Sequence, residues 1–159
     1  MTDKHLSHYD NQGHARMVDI SGKAVTERRA VARGRIRVSP ETLTAIGRGM
    51  APKGDPFEVA RVAGISAAKK TSALIPLCHP LRLNVVDVSI AAAPDQSAIE
   101  VTVAVSASER TGVEMEALVG CGVALLTLYD MLKAIDPTMV IEGIRVVEKT
   151  GGKNDFSSA

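Results

Sequence analysis

The sequence predicts an α+β sandwich, in which a mainly antiparallel sheet carries its helices on one face. Two neighbouring segments, RLNVVDVSIAAA and SAIEVTVAVSASE, alternate apolar and polar residues with the period of a strand, and the PDQ between them indicates a hairpin. The apolar segment TGVEMEALVGCGVALLTLYDMLKAI has instead the period of a long helix. The full order is strand, helix, helix, strand, strand, helix, strand, which favours one sheet with helices on one side.

Capping residues set the ends of the earlier elements. ERRAVARGRIRV, residues 27–38, predicts a first strand with basic residues on one side. Ser39 is the expected cap of a short helix that ends within GRG, residues 47–49. Asp55 is the expected cap of a helix over residues 56–70, with a glutamate three residues later as its capping-box partner. The many Ala and Gly residues of this second helix predict that another backbone packs closely against it.

The later elements are bounded in the same way. Thr111 and Glu114 have the spacing of a capping box at the start of the long helix. Pro137 predicts that this helix ends near Asp136, because the residue before a proline avoids the helical conformation. MVIEGIRVVEK predicts the last strand.

The composition is that of a soluble, cytoplasmic protein. A net charge of +1, with 45% hydrophobic and 23% charged residues, gives no general attraction to nucleic acid or to a membrane. Every long apolar run is interrupted by charges or rich in small residues, so no membrane span is predicted. The two cysteines are expected to be reduced. We expect a flexible N-terminal arm over 1–16, a single domain over 17–153 and a flexible C-terminal tail over 154–159.

The segment Ile75–Leu81, called the strap below, holds the neighbours Cys78 and His79 between two prolines. Prolines fix their own backbone and restrict the residue before them, so the strap should be stiff and non-helical. Adjacent Cys and His do not have the spacing of a zinc site, and on an extended segment they point to opposite sides. His5, His8 and His14 of the arm also lack the accompanying ligands of a recognised metal site, so no metal site is predicted.

The long helix is apolar on two sides. One side, through Cys121, is the expected core face, and the rear carries Val119, Val123 and Leu126 before turning polar at Asp130 and Lys133. A helix that is apolar on both sides is normally covered on both, so we expect a second helix or another copy of the chain on the rear. Asp130 and Lys133 fit either a surface ion pair or an acid/base pair at the edge of that contact.

The remaining charged candidates are lysines beside glycines or helix ends. Lys53 precedes Gly54 at a helix start, where unpaired backbone N–H groups can hold an anion. The spacing of a P-loop is absent. Each lysine also fits an ordinary solvated surface charge.

Six motifs together resemble the molybdenum cofactor biosynthesis protein C family, the cyclic pyranopterin monophosphate synthases. They are MVDIS (17–21), KGD (53–55), AGISAAKKTSALIPLCHPL (63–81), TGVEMEAL (111–118), YDMLKA (129–134) and EKTGGK (148–153). The resemblance runs in register from Met17 to Lys153, and the combination of motifs is highly specific.

This resemblance implies a ferredoxin-like α+β subunit in a homohexamer, a trimer of dimers with active sites at the dimer interface. It implies general acid/base conversion of 3',8-cyclised 7,8-dihydroguanosine 5'-triphosphate into cyclic pyranopterin monophosphate, with release of pyrophosphate. The catalytic positions that it implies are Asp130, Lys133 and Lys53. The substrate-binding positions that it implies are Leu77, Cys78, His79, Met115, Glu116, Arg28, Lys149 and Lys153. Within the strap, His79 is expected to meet the charged portion of the substrate.

Such a reaction needs no redox cofactor, and Mg²⁺ accompanying the triphosphate is left open because no carboxylate cluster is dedicated to it. The alternative is a non-catalytic nucleotide-binding or protein-interaction module of the same fold, with Asp130 and Lys133 as a structural ion pair. A zinc hydrolase is a more distant alternative.

Overall fold

The computed structural model describes residues 8–10 and 12–158, and it confirms the α+β class with an antiparallel sheet. The strands within these residues are β1 (Thr26–Arg37), β2 (Val85–Ala92), β3 (Ala98–Glu109), β4 (Val140–Thr150) and β5 (Phe156–Ser157). The helices are α1 (Pro40–Gly47), α2 (Pro56–Ala68), α3 (Thr71–Leu74) and α4 (Glu114–Leu132).

The sheet has the order β2-β3-β1-β4-β5, and each pair of neighbours is antiparallel. The first strand is central: its Ala30 lies opposite Val105 of β3 on one side and Lys149 of β4 on the other. The predicted hairpin joins β2 and β3, with Gln96 in its turn at a positive φ. This arrangement, with helices against the sheet, is consistent with the ferredoxin-like fold.

The caps predicted for the first two helices are confirmed. The Ser39 side chain accepts a hydrogen bond from the backbone N–H of Thr42 at the start of α1. The Asp55 carboxylate accepts from the backbone N–H groups of Phe57 and Glu58 at the start of α2. These bonds satisfy donors that have no partner within the helix.

Both predicted ends of the long helix need correction. The predicted capping box of Thr111 and Glu114 is wrong, because the cap residue is Val113 and no side chain bonds the free N–H groups there. The Glu114 carboxylate instead pairs with Lys149 of β4, at 3.2 Å. At the other end α4 stops at Leu132, and the buried Asp136 accepts hydrogen bonds from the start of α1 and from its own turn.

The core lies between the helices and one face of the sheet. Cys121 and Leu128 of α4 are fully buried there, as predicted for the core face of this helix. Burial raises the pKa of the Cys121 thiol to about 12, so this cysteine behaves as a small apolar side chain. The two cysteines are both free.

The expectation that no apolar run could span a membrane is wrong when length and composition alone are considered. The helix α4 has 19 residues and is apolar enough to meet that criterion. A core helix of a globular domain meets the same criterion, and α4 packs against β1, β3 and α2. In this structure α4 is therefore the central core helix.

The close backbone approach predicted for α2 is confirmed where α2 crosses α4. A side-chain carbon added at Gly64 would lie 3.1 Å from the carbonyl oxygen of Gly120, and one added at Gly120 would lie 3.2 Å from that of Gly64. Both contacts are tighter than ordinary packing, so a side chain at either glycine would require the helices to move apart by a few tenths of an ångström.

Gly64→Val should therefore destabilise the fold by about 1–3 kcal/mol, because its methyl groups would push α2 away from α4. Ser66→Val on the exposed side of the same helix is the matched control and should change the free energy of unfolding by less than about 0.5 kcal/mol. Urea denaturation of both variants measures the difference. Equal stability of the two variants would show that α2 can shift without cost.

Both predicted tails contain described structure. A bridge joins Tyr9 to Ala15, and β5 pairs with β4 at Glu148 and Lys149. The short strand β5 lies in the C-terminal segment, where the sequence pattern predicts no strand. His5 lies outside the described residues, and the flexibility of both tails stays a prediction.

Candidate functional site

Three of the predicted site residues meet at the C-terminal end of α4. The Asp130 carboxylate lies between two ammonium groups, 2.6 Å from Lys53 Nζ and 2.8 Å from Lys133 Nζ. Lys133 follows on the next turn of the helix, whereas Lys53 comes from the loop before α2 and also donates to the backbone carbonyl of Asp130. The sequence spacing showed only the Asp130–Lys133 pair, and the fold adds Lys53 to it.

Lys53, Asp130 and Lys133 are called the Asp130 cluster below. The two ammonium groups determine the ionisation of its carboxyl group. Hydrogen bonds from Lys133 and then Lys53 lower the pKa of Asp130 to about 2, and the carboxylate in turn raises the pKa of Lys133. These attractions stabilise the fold above the ordinary pKa of an aspartate and are lost as the pH falls towards about 2. At neutral pH, Asp130 is therefore ionised and Lys133 is a cation. Both shifts move the pKa away from neutral pH, so the pair can exchange protons with a ligand only where the ligand weakens the contacts between Asp130 and the lysines.

The strap residues and the first turn of α4 line one cavity at the other end of the helix. Its volume is about 380 Å³, and Leu77, Cys78, His79, Met115 and Glu116 all line it. The strap is non-helical as predicted, and Ile75 is extended before the first proline. All five positions that the sequence analysis assigned to substrate contact in these two segments thus share one cavity.

Glu116 is the buried carboxyl group of this cavity, with 4% of its surface exposed. Burial raises its pKa, and the nearby charge of Glu114 raises it further. Burial and then the charge of Glu116 also raise the pKa of Cys78, so this cysteine stays a thiol at neutral pH and is a poor nucleophile. Glu116 is the carboxyl group in this cavity that is best suited to keep and deliver a proton.

Glu116→Gln should make the protein more stable at pH 8 than the wild type and reduce its turnover. A raised carboxyl pKa means that stability is full at low pH and falls as Glu116 ionises with rising pH. The neutral amide of glutamine avoids the free-energy cost of ionising a buried carboxyl group. Thermal unfolding of both proteins at pH 5 and pH 8 measures this difference. If the wild type became more stable than the variant as the pH rose, the assignment of Glu116 as a buried acid with a raised pKa would be contradicted.

The basic residues form a second cleft, of about 210 Å³, next to the strap cavity. The predicted Arg28, Lys149 and Lys153 all line it. Arg28 is held by the carbonyl groups of Glu109 and Arg110, at 3.3 and 3.4 Å. Several cations around one small cleft suit a ligand with several negative charges.

Sequence reasoning missed several residues of these two cavities. Lys23 and Glu114 line both of them, so the two cavities adjoin at these side chains. Arg110 adds a further cation to the basic cleft. The sequence did contain a signal that could have identified Lys23 and Arg110 as site residues. Each lies in a short polar segment with a glycine, next to one of the six family motifs.

The N-terminal segment supplies further missed residues. His8, Val18 and Ile20 line the strap cavity, and the backbone carbonyl of Val18 lies 2.8 Å from His79 Nε2. Nothing in the spacing of this segment indicated the contact. A wall of the cavity therefore comes from a part of the chain with no helix or strand of its own.

The predicted catalytic and binding residues lie at opposite ends of α4. Glu116 and Asp130 are about 20 Å apart along the helix axis at the usual rise per residue. The rear of the helix between them carries the half-buried Val119 and Val123 and the exposed Leu126, which has 61% of its surface accessible. Within one chain, the structure does not bring the Asp130 cluster to the strap cavity.

A concavity of about 780 Å³, larger than the strap cavity and the basic cleft, lies elsewhere, on the open face of the sheet around Gly143. It contains none of the predicted site residues, and its Arg35 is paired with Glu142 at 2.7 Å. Among residues 8–10 and 12–158, no three His, Cys, Asp or Glu side chains are grouped so that they could hold a metal ion.

Comparison with known proteins places this chain in a family. A family model described as the MoaC family matches residues 17–152. A protein from Novosphingobium aromaticivorans is 60% identical over 94% of both chains, one from Pelotomaculum thermopropionicum is 54% identical over 94% of this chain and 88% of its own, and one from Chloroflexus aurantiacus is 53% identical over 97% and 96%. Each carries the name cyclic pyranopterin monophosphate synthase. The chain therefore belongs to the MoaC family.

Proposed function

We propose that this protein is a cyclic pyranopterin monophosphate synthase of molybdenum cofactor biosynthesis. It converts 3',8-cyclised 7,8-dihydroguanosine 5'-triphosphate into cyclic pyranopterin monophosphate and pyrophosphate. The relatives that cover nearly the whole chain carry this name. The observation that carries the proposal concerns the two ends of α4. Nucleotide-sized cavities lined by cations lie at one end, and a carboxylate between two ammonium groups lies at the other.

The two adjoining cavities divide the substrate between them. The basic cleft, with Arg28, Lys149 and Lys153, receives the triphosphate, because its cations neutralise the charge that develops as pyrophosphate leaves. The strap cavity receives the ring system derived from the purine, next to His79 and Glu116. Rebuilding those rings requires proton transfers, which groups with separated pKa values can perform.

The Asp130 cluster reaches the substrate through a second copy of the chain. A two-fold axis near Val123, midway between Glu116 and Asp130, would lay two α4 helices antiparallel along their rear faces. Such a contact would cover the exposed Leu126 and bring the Asp130 cluster of one copy level with the strap cavity of the other. The complete site then lies at the dimer interface.

The acid and base roles follow from the charges of the groups. Asp130, ionised at neutral pH, accepts a proton once the bound substrate draws Lys133 and Lys53 away from it, and the two ammonium groups then stabilise negative charge on the substrate. Glu116, whose pKa is raised, supplies a proton from the opposite side of the substrate.

We further propose that three such dimers form a homohexamer in the cytoplasm, where nucleotide-derived substrates are made. The reaction involves no net oxidation or reduction and so needs no redox cofactor. Mg²⁺ bound to the substrate's phosphates is compatible with it. Turnover with and without a chelating agent tests the need for this ion.

The decisive experiment is a turnover assay. The purified protein is mixed with freshly prepared cyclised substrate, and ³¹P NMR follows the appearance of pyrophosphate and of a cyclic phosphate. Formation of both at equal amounts supports the synthase. Tight binding with no conversion, using substrate that a reference synthase consumes, would favour the non-catalytic nucleotide-binding module.

A further inference from the structure

His79 is attached to the N-terminal segment through one specific atom. Its ring nitrogen Nε2 lies 2.8 Å from the backbone carbonyl oxygen of Val18, and this contact is partly buried. Both residues line the strap cavity. The contact joins two segments far apart in sequence, at the position where the substrate's rings are proposed to bind.

A carbonyl oxygen can only accept a hydrogen bond, so the contact requires a hydrogen atom on Nε2. In a neutral imidazole the hydrogen then cannot be on Nδ1, which keeps an unshared electron pair. The nitrogen that remains for a ligand is therefore an acceptor. An acceptor at this position does not suit the sequence-based expectation that His79 meets the charged portion of the substrate, which is a polyanion.

The position of the Val18 carbonyl is itself fixed by local structure. The Asp19 carboxylate accepts a hydrogen bond from the backbone N–H of Ser21, at 2.8 Å, and the N–H of Lys23 bonds the carbonyl of Ile20, at 3.0 Å. These bonds form a compact turn directly after Val18. Side-chain bonds of this kind restrict a loop to few conformations.

The other charged side chains that line the cavity are Lys23, Glu114 and Glu116. Lys23 already supplies a cation to this cavity and to the adjoining basic cleft. Glu114 is paired with Lys149, and Glu116 is buried with its pKa raised. Among the described contacts, the side chain of His79 has the Val18 carbonyl as its hydrogen-bond partner and no carboxylate within 4.0 Å.

We infer that the Val18 carbonyl is a positioning group that holds His79 with hydrogen on Nε2, so that Nδ1 accepts a hydrogen bond or a proton from an N–H or O–H group of the bound rings. This inference rests on the proposed function for the identity of the ligand. The tautomer of the free protein does not depend on that function, and it can be measured separately.

The first test is ¹⁵N NMR of the histidine rings of the full-length protein at about pH 8, above the ordinary range of imidazole titration. His79→Gln identifies the signals of this ring. We expect Nε2 to be protonated and Nδ1 unprotonated. A ring with hydrogen on Nδ1, or an equal mixture of both forms, would overturn the inference even if the protein converts its substrate.

The second test loosens the turn that holds Val18. Asp19→Ala should shift the His79 ring towards a mixture of tautomers, because the carbonyl is less firmly placed. Asp95→Ala is the matched control, since Asp95 bonds the N–H of Ser97 in the same way, at 3.1 Å, in the turn between β2 and β3. A ring equally unaffected by both substitutions would show that the N-terminal turn does not position His79.

The third test separates the two ring nitrogens by turnover. The side-chain amide of Asn occupies about the place of Nδ1, whereas that of Gln reaches the place of Nε2. We expect His79→Asn to retain about tenfold more kcat than His79→Gln, because its amide oxygen can still accept a hydrogen bond at the position of Nδ1. A higher kcat for His79→Gln would assign the reaction to Nε2 and overturn the inference. If the wild type gave the expected NMR result but did not convert the substrate, the proposed function would be refuted and the assigned tautomer would stand.

Discussion

Asp130→Asn should lower kcat by about 10²- to 10⁴-fold, the usual contribution of a positioned proton-transfer group. Asparagine has almost the same shape as aspartate, so the fold and the oligomer should be unchanged. It lacks the negative charge that attracts Lys53 and Lys133, and it cannot accept a proton at neutral pH. Substrate affinity should change less than kcat, because the triphosphate binds in the basic cleft.

The remaining activity of this variant should also have a different pH dependence. The carboxylate of Asp130 raises the pKa of Lys133, so its removal should move the alkaline limb of the pH profile to lower pH. Glu58→Gln is the matched control, because it breaks another exposed ion pair three residues apart, to Arg61 at 3.2 Å. If Asp130→Asn turned over substrate as fast as this control, Asp130 would be only a structural partner of the two lysines.

Two inactive variants should restore activity when they are expressed together. Asp130→Asn leaves the strap cavity intact, and His79→Ala leaves the Asp130 cluster intact. If each site takes one half from each copy, a mixed dimer contains one complete site. Random pairing makes half of the dimers mixed, so the preparation should have about a quarter of the wild-type kcat, as expected for a two-fold interface with two sites.

Leu126→Asp, introduced into both variants, provides the control for this recovery. It places a charge at the exposed centre of the rear face of α4 and should split the dimer without unfolding the chain. Light scattering gives the oligomeric state, and the recovered activity should disappear with the dimer. Each single variant must be inactive alone. Co-expressed variants that remain inactive in intact oligomers would show that the two ends of α4 do not serve one site.

Much of the fold could be predicted because its signals are local. The caps at Ser39 and Asp55 act within one helical turn, and the alternation in β2 and β3 repeats every two residues. The capping box predicted at Thr111 and Glu114 is wrong because a residue far away in the sequence determines the local structure there. Their spacing is that of a capping box, but the Glu114 carboxylate is attracted by Lys149, which the sheet brings close from a distant part of the chain.

The candidate site shows the same division. The motifs indicated which residue types belong together, and the pair of Asp130 and Lys133 could be found from helical spacing alone. The approach of Lys53 to this pair could not, because it depends on how α2 packs on α4. The contact between Val18 and His79 was also invisible, since a backbone carbonyl carries no residue-specific signal.

By itself, the sequence determined the elements of this protein, its family resemblance and the chemical groups available to it, because short-range periodicity and capping depend on near neighbours. Only the tertiary structure decided where those groups lie. It grouped the basic residues beside the strap, buried Glu116 and set the Asp130 cluster at the far end of α4. The physical reason is that distances between side chains remote in sequence, and the burial that shifts their charges, arise from the packing of helices on the sheet.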